Sequence, residues 1–177
     1  SVEKLVENLG EVKPTLLFSV PRIFNRIYDG LNKKMALESS TKQKIFHAAM
    51  ANAARRRDLA NEGKSSFWVD LKHGLFDKLV FGKVRDRLGG QLRYAFSGGA
   101  AISKEVAKFI DNVGITVYEG YGLSETSPIA TANCPGHQRI GSVGKAIPGV
   151  EVFIDTSAVE GDMGDQGEII IKGPNIM

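Results

Sequence analysis

A hydroxyl and a carboxylate side chain, Ser124 and Glu125, closely follow a glycine-flanked tyrosine at residues 120–122 (GYG). Glycine lets the backbone turn sharply and approach a ligand closely. A hydroxyl beside a carboxylate can bind a phosphate group together with a hard cation such as Mg²⁺, which prefers oxygen ligands. Residues 117–128 (VYEGYGLSETSP) therefore predict the edge of a nucleotide site.

A second glycine-rich loop has the same setting. Residues 97–101 (SGGAA) follow an apolar strand predicted at 92–96, and another strand at 115–118 leads into the first loop. Between the two strands, Ser103 can cap a helix that Gly114 closes. A strand, a helix and a strand over this length form a βαβ unit with parallel strands. Because ligands bind at the carboxyl ends of such strands, both loops are predicted to line one site.

Each loop taken alone also fits a purely structural role. Residues 97–101 fit an ordinary strand-to-helix turn, and Ser124 with Glu125 fits a helix start that has a carboxylate in its first turn. Cys134 and the three histidines do not have the spacing of a metal site. The functional interpretation therefore depends on the two loops occurring together.

The N-terminal half of the chain is predicted to be mainly helical. A helix is expected over residues 1–13 with a stop at Gly10, and a buried strand over residues 15–20. The next helix begins at Pro21, where the missing N–H is tolerated. Residues 38–88 follow as helices almost throughout.

The last of these helices carries regularly spaced apolar side chains on one face. We expect this face to lie in the core, because such stripes usually do; a place for its tryptophan beside an apolar ligand is the alternative. The face consists of Trp68, Leu71, Leu75, Leu79 and Val80.

The C-terminal part is predicted as a loop followed by a β-hairpin. Residues 129–148 contain several glycines and prolines and are expected to form a long loop. Alternating apolar residues at 150–154 and 168–172 predict two paired strands, joined by an acidic turn at 155–167. Together with the parallel unit, this predicts an α/β fold class.

The composition is that of a globular protein, with 42% hydrophobic and 24% charged residues in 177. One cysteine forms no internal disulfide, which indicates a reducing compartment such as the cytoplasm. Residues 31–93 carry 14 lysines and arginines against 6 acidic residues, whereas the remainder is acidic. This basic segment is either a solvated helix face or a contact for an anionic membrane surface.

Four motifs occur together in order along the chain. They are SGGAA at 97–101, YGLSETSP at 121–128, GSVGKAIPG at 141–149 and GEIIIKGPNIM at 167–177. In order and spacing they resemble the adenylate-forming (AMP-binding) enzymes, which include the acyl-CoA synthetases, the peptide-synthetase adenylation domains and firefly luciferase. One motif would be weak evidence, but the ordered set is specific.

Two further stretches resemble the long-chain fatty acyl-CoA synthetases. They are residues 14–31 (PTLLFSVPRIFNRIYDGL) and residues 75–100, which follow a long helical segment. The resemblance implies that residues 1–177 are an internal fragment of the layered parallel-sheet N-terminal domain of such an enzyme. It would consist of a helical basic segment at 31–93, the βαβ unit with its nucleotide loops at 94–148, and the hairpin at 149–177.

The resemblance also implies a two-step ligase reaction. A fatty carboxylate attacks the α-phosphorus of ATP to give acyl-AMP and pyrophosphate, and the thiol of coenzyme A then displaces AMP. Ser124 would bind the α-phosphate and Glu125 would bind Mg²⁺. The implied nucleotide and acyl-adenylate contacts are Ser97, Gly98, Gly99, Ala100, Glu119, Gly120, Tyr121 and Gly122. Of these, Gly98, Gly99 and Ala100 would face adenine and the acyl head, and Gly120 and Tyr121 would hold the base from the other side.

The sequence departs from the family pattern in two respects. Ser124 stands where the family usually has threonine, so the hydroxyl is kept without the methyl group that fixes its rotamer. The family's upstream phosphate loop, later ribose-binding aspartate, hinge and C-terminal domain with its catalytic lysine are not found in the 177 residues. We therefore expect that these residues alone do not turn over.

Two alternatives to a fatty-acid ligase stay open. One is an adenylating enzyme for an aryl or amino acid, and the other is a non-catalytic module that contacts a membrane or a partner through residues 31–93. A Rossmann dehydrogenase is disfavoured because no G-x-G-x-x-G follows a strand. The expected partners are fatty acid, ATP and coenzyme A, with a peripheral membrane contact and a homodimer as further candidates, and no nucleic acid.

Overall fold

The computed structural model describes residues 3–158 and 166–177. Its main sheet has five strands in the order β1-β2-β3-β4-β5, of which the first three are parallel and the last two antiparallel. The strands are β1 (Leu16–Ser19), β2 (Tyr94–Ser97), β3 (Thr116–Tyr121), β4 (Thr131–Ala132) and β5 (Lys145–Ala146). The predicted α/β class with a parallel sheet is confirmed.

Helices make up most of the remaining chain. They are α1 (Glu3–Val12), α2 (Pro21–Ala36), α3 (Ser40–Asn61), α4 (Phe67–Phe76), α5 (Gly82–Arg87) and α6 (Lys104–Asn112). A wider π-helical turn, Asp77–Phe81, joins α4 to α5 without a break. Helix α6 is the crossover between β2 and β3, and the Oγ atom of Ser103 caps it by accepting from the amide of Val106 at 3.2 Å.

The hydrophobic core lies between the helices and one face of the sheet. Ala95 of β2 and Val117 of β3 point into this core, where they join Phe24 of α2, Phe81 of the π turn and Phe109 of α6. The opposite face of the sheet is open, because alternate strand residues point the other way. That face exposes Leu16, Phe18 and Tyr94.

The predicted C-terminal hairpin is confirmed. Strands β6 (Glu151–Asp155) and β7 (Glu168–Lys172) pair antiparallel over their full length. Residues 159–165, within the predicted acidic turn, lie outside the described residues.

Four sequence predictions are corrected. Strand β1, predicted as buried, has one face exposed, with Leu16 at 42% and Phe18 at 71%. Helix α1 does not stop at Gly10 but continues to Val12, and Lys13 with φ of 50° ends it. Residues 129–148 are not one long loop, because β4 and β5 extend the sheet there. The apolar stripe of Trp68, Leu71, Leu75 and Leu79 is not core but roughly half to two-thirds exposed.

Arg85, which is ion-paired within the helical segment, also ties that segment to the βαβ unit. Both terminal nitrogens of the Arg85 guanidinium donate to the Asp77 carboxylate at 2.7 Å, and one of them also donates to the carbonyl of Val113 at 2.8 Å. Val113 directly precedes Gly114, where the chain turns into β3. A Cβ added at Gly114 would lie 2.8 Å from the Arg85 nitrogen that binds the Val113 carbonyl. The hydrogen bonds from Arg85 lower the pKa of the Asp77 carboxyl.

We predict that Arg85→Met lowers the free energy of unfolding by about 1–3 kcal/mol, because the Asp77 carboxylate and the Val113 carbonyl both lose their donor. Urea denaturation measures this loss. The pKa of Asp77 is lower in the folded state than in the unfolded state. The extra free energy of unfolding of the wild type is therefore fully present above the unfolded-state pKa of Asp77, and it is lost as the pH falls through the folded-state pKa. Lys42→Met, which breaks the exposed Lys42–Glu38 pair, is the control and should cost about 0.5 kcal/mol or less. Equal losses for the two variants would contradict the assignment.

Candidate functional site

The two glycine-rich loops lie side by side at one edge of the sheet. Ser97, the last residue of β2, pairs in register with Glu119 of β3. Neighbouring strands lie about 4.8 Å apart, so the loops that leave them face each other. The fold therefore places both sequence-predicted loops at the carboxyl ends of adjacent parallel strands.

The first loop begins at a buried hydroxyl. Ser97 is 1% exposed, and its Oγ atom has no hydrogen-bond partner among the described residues. Gly98 and Gly99 follow, the latter with φ of +79°, and the amide of Gly98 donates to the carbonyl of Ser19 at 3.3 Å. Gly99 and Ala100 are exposed. A ligand can therefore approach the backbone of this loop without meeting a large side chain.

The second loop contains two glycines at positions that have no room for a side chain. A Cβ at Gly120 would lie 2.9 Å from the ring of Phe96 on β2. A Cβ at Gly122 would overlap the carbonyl of Pro128 and come within 2.6 Å of Cα of Ile129. Because these glycines lack side chains, the chain at the end of β3 can pack closely against residues 128–132. The half-buried Tyr121, between the two glycines, therefore lies at the edge of the site.

Ser124 and Glu125 lie in a single turn of 3₁₀ helix, Ser124–Thr126, and both are exposed. Thr126 is buried and fixes the turn: its Oγ1 accepts from the amide of Leu123 at 2.8 Å and donates to the carbonyl of Leu123 at 2.9 Å. Asn175 holds the turn from outside, since its Nδ2 donates to the carbonyls of Thr126 and Ile129 at 2.8 and 2.9 Å. The turn is thus anchored while its hydroxyl and carboxylate project outward.

Glu119 is a predicted ligand contact whose side chain is buried and hydrogen-bonded within the protein. It is 7% exposed, and its Oε2 accepts from the amide of Gly141 at 3.1 Å. Asn133 lies beside it, donating from Nδ2 to the carbonyl of Glu119 at 3.2 Å and accepting the amide of Arg139 at 2.9 Å. Glu119 and Asn133 therefore hold the 139–142 loop against β3, and neither side chain is aimed at open space.

Sequence reasoning missed Thr126, Asn133 and Asn175 as supports of the site. Thr126 and Asn175 stand within the motifs YGLSETSP and GEIIIKGPNIM, and their hydroxyl and amide groups are the sequence signal for this role. Asn133 carried no such signal, because its contacts at 119, 139 and 142 arise only when β4 pairs with β3.

The donor set fits a cation that is shared with a ligand. No group of three or more His, Cys, Asp or Glu side chains that could hold a metal occurs within residues 3–158 and 166–177. Mg²⁺, however, is commonly held by one or two carboxylates together with phosphates and waters. The exposed Glu125 carboxylate and the neighbouring Ser124 hydroxyl are the groups that could supply the protein's part of such a set.

The site lies at an exposed edge, because Gly99, Ala100, Ser124 and Glu125 are all exposed. Three clefts of about 370, 410 and 520 Å³ occur elsewhere on the described surface, and neither glycine-rich loop lines any of them. The two loops are nevertheless the candidate site, because the carboxyl ends of the parallel strands and the exposed oxygen groups coincide there.

Comparison with known proteins shows which family the chain matches. The model of the AMP-binding enzyme family matches residues 1–177. The chain is 35% identical over 172 residues to "Long-chain-fatty-acid--CoA ligase FadD15" of Mycobacterium bovis, covering 97% of the chain and 27% of that protein. It is 36% identical over 179 residues to "Long chain acyl-CoA synthetase 6, peroxisomal" of Arabidopsis thaliana, covering 98% and 24%. The chain thus spans about a quarter of the length of these relatives.

A solved structure shows the same fold. The crystal structure of a long-chain-fatty-acid-CoA ligase (FadD1) from Archaeoglobus fulgidus matches with a TM-score of 0.56 at 18% identity, over 99% of this chain and 28% of that one.

We predict that Gly122→Ala destabilises the protein by about 1–3 kcal/mol, because the added methyl group overlaps the Pro128 carbonyl and forces the backbone apart. Chemical denaturation measures the change. Gly30→Ala in helix α2 is the matched control: its Cβ meets nothing within 4 Å, and it should stabilise by about 0.4–1 kcal/mol. An unchanged stability of Gly122→Ala would show that this loop has room to move.

Proposed function

The chain belongs to the AMP-binding enzyme family, and from this premise we propose that its parent protein is a long-chain fatty acid–CoA ligase. The reaction couples ATP cleavage to thioester formation in two steps. One observation carries the proposal: the anchored turn presents Ser124 and Glu125 outward, beside the loop of Gly98 and Gly99 on the adjacent parallel strand. The similarity to long-chain ligases at about 35% identity supports the substrate class.

In the first step a carboxylate oxygen of the fatty acid attacks the α-phosphorus of ATP, and pyrophosphate leaves. Negative charge builds on the oxygens of the α-phosphate, and positioned donors stabilise it. The Ser124 hydroxyl would donate to such an oxygen, and Glu125 would hold Mg²⁺. When bound, Mg²⁺ would neutralise part of the developing charge. In the second step the sulfur of coenzyme A attacks the acyl carbonyl, and AMP leaves.

The loops would hold the acyl-adenylate between them. Gly98, Gly99 and Ala100 offer a nearly bare backbone on one side, where adenine and the acyl head can approach closely. The ring of Tyr121, next to Gly120, would contact the base from the other side. We assign Glu119 a positioning role through Gly141, which its carboxylate holds.

The remaining partners are proposals as well. Within the described residues, no helix is both long and apolar enough to cross a membrane. We propose that residues 31–93 contact a membrane at its surface, that the protein lies in a reducing compartment such as the cytoplasm, and that the open sheet edges favour pairing with a second copy.

The first test is fatty-acid-dependent ATP–pyrophosphate exchange by the full-length gene product. We expect Glu125→Ala to lower the exchange rate by about 100-fold or more, because a group that stabilises the transition state is lost. Glu7→Ala on α1, where the carboxylate is also exposed but away from the site, is the control and should match the wild type. Exchange that depends only on aryl or amino acids would support the adenylation chemistry but refute the fatty-acid substrate. Full exchange activity of Glu125→Ala would refute the assignment of Glu125 to Mg²⁺.

A separate prediction concerns the 177-residue chain itself. Since it spans about a quarter of its relatives, we expect no exchange and no acyl-CoA formation from it alone. The same exchange assay, run with the isolated chain at matched concentration, tests this. Measurable acyl-CoA from the isolated chain would overturn the expectation.

A further inference from the structure

Two of the four sequence motifs supply no ligand contact to the proposed reaction. Residues 141–149 (GSVGKAIPG) and 167–177 (GEIIIKGPNIM) carry no side chain that is assigned to a substrate or to Mg²⁺. Both motifs nevertheless form hydrogen bonds to the segment 125–131, which contains Glu125 and the chain that follows it. These hydrogen bonds indicate what the two motifs do.

The side-chain amide of Asn175 binds both sides of the reversal between β3 and β4. Its Nδ2 atom donates to the carbonyl of Thr126 at 2.8 Å and to the carbonyl of Ile129 at 2.9 Å. Between these two residues, Ser127 has a left-handed backbone conformation with φ of 47°. A residue other than glycine keeps such a conformation only where its surroundings hold it there. Asn175 therefore ties the chain together across a strained position.

A further hydrogen bond from the same segment reaches Glu125 itself. The backbone amide of Met177 donates to the carbonyl of Glu125 at 3.0 Å. The backbone of Glu125 is thus held from the C-terminal motif, while its carboxylate is exposed. We call residues 173–177 the clamp, because they hold the turn of Ser124 and Glu125 at Glu125, Thr126 and Ile129.

The clamp is itself fixed against the base of the hairpin. The amide of Ile176 donates to the carbonyl of Gly173 at 3.3 Å, which closes a short turn. A Cβ added at Gly173 would lie 2.7 Å from Oδ1 of Asn175 and 3.0 Å from Cγ2 of Val150. Val150 is buried and directly precedes β6. The clamp therefore packs closely against the start of the hairpin, and position 173 has no room for a side chain.

The motif at 141–149 holds the chain that leaves the turn. The amide of Ile147 donates to the carbonyl of Ala130 at 3.0 Å, and Oγ1 of Thr131 donates to the carbonyl of Val143 at 2.9 Å. Ala130 is completely buried. The two motifs thus fix adjoining parts of one segment. Because these contacts are internal, they do not depend on which surfaces a longer protein covers.

Asn175 acts through its hydrogen-bond donors alone. Its Oδ1 atom is buried and has no hydrogen-bond partner among the described residues. An aspartate in its place would keep the shape of the side chain but, when ionised, would have no donor. Its carboxylate would then lie against the carbonyl oxygens of Thr126 and Ile129, which would both lose their donor.

We propose that Asn175 is a positioning residue for the adenylation reaction. By fixing the turn, it would keep the Ser124 hydroxyl and the Glu125 carboxylate in the geometry that the α-phosphate and Mg²⁺ require. Groups that orient a ligating carboxylate from behind commonly affect metal affinity or activity as strongly as this. The link to phosphate and Mg²⁺ rests on the proposed function, whereas the fixing of the turn does not.

The first test is amide hydrogen–deuterium exchange of the full-length gene product without any ligand, measured on peptides that cover residues 123–130. Asn175→Asp and Asn175→Ala should each speed the exchange of the Thr126 and Ser127 amides by about tenfold or more, because two hydrogen bonds that hold the turn are lost. Gly173→Ala should act in the same direction, since its added methyl group would displace the Asn175 side chain.

Asn52→Asp is the matched control. Nδ2 of Asn52 donates to the carbonyl of Val69 at 3.2 Å, so this variant loses the same kind of hydrogen bond within the helical segment. Exchange of residues 123–130 should then be the same as in the wild type. The amides of helix α6 report whether each variant folds, and Asn175→Ala and Gly173→Ala keep the test open if Asn175→Asp does not fold.

The second test measures fatty-acid-dependent ATP–pyrophosphate exchange as a function of Mg²⁺ concentration. Asn175→Ala should raise the Mg²⁺ concentration for half-maximal exchange by about tenfold or more, because Glu125 is no longer held in place. A smaller amount of folded enzyme would lower the rate without moving this concentration. In the Glu125→Ala background, Asn175→Ala should have little further effect, since the two residues act through one contact.

The outcomes separate this proposal from the ligase assignment. Faster amide exchange of the turn together with a raised Mg²⁺ requirement would support the positioning role. Unchanged amide exchange in all three variants would overturn the clamp, and faster amide exchange with an unchanged Mg²⁺ requirement would overturn the positioning role. If the wild type shows no ATP–pyrophosphate exchange, the ligase proposal and the positioning for its reaction fail together, while amide exchange still decides whether Asn175 fixes the turn.

Discussion

The parallel pairing of β2 with β3 is the constraint on which the candidate site depends. This pairing sets Ser97 opposite Glu119, and both strands end at the same edge. The pairing is tight where it matters, because the ring of Phe96 fills the space that a side chain at Gly120 would need. Helix α6 makes the crossover, and Arg85 fixes the turn at Val113 that leads from α6 into β3.

The side chains proposed to bind phosphate and cation are few, and the groups that hold them in place are more numerous. Ser124 and Glu125 project from a turn that Thr126 fixes from within and Asn175 from outside. Glu119 and Asn133 do the same for the following loop. Such preorganisation is what a phosphate-binding site needs, since donors that are already in place do not have to reorganise as charge develops.

The helical segment serves two surfaces at once. Its inner side chains form the core with the covered face of the sheet. Its outer side chains, including Trp68 and Leu75, keep apolar area in solvent together with lysines.

The sequence alone determined the fold class, the βαβ unit, the hairpin and the position of both glycine-rich loops. These follow from local patterns: apolar runs, caps, glycines and an ordered set of motifs. It also pointed to Ser124 and Glu125, because their residue types and spacing carry the chemistry; their roles stay predictions.

Only the tertiary structure decided which apolar stripe is core and which is surface. The side chains at 68, 71, 75 and 79 have the same helical period as a buried face, and periodicity does not specify what packs against it. The contacts of Asn133 and Asn175 also depend on the tertiary structure, because Asn133 reaches Glu119 only when β4 pairs with β3, and Asn175 reaches Thr126 across 49 residues of chain. Long-range contacts of this kind exist only once the strands have paired.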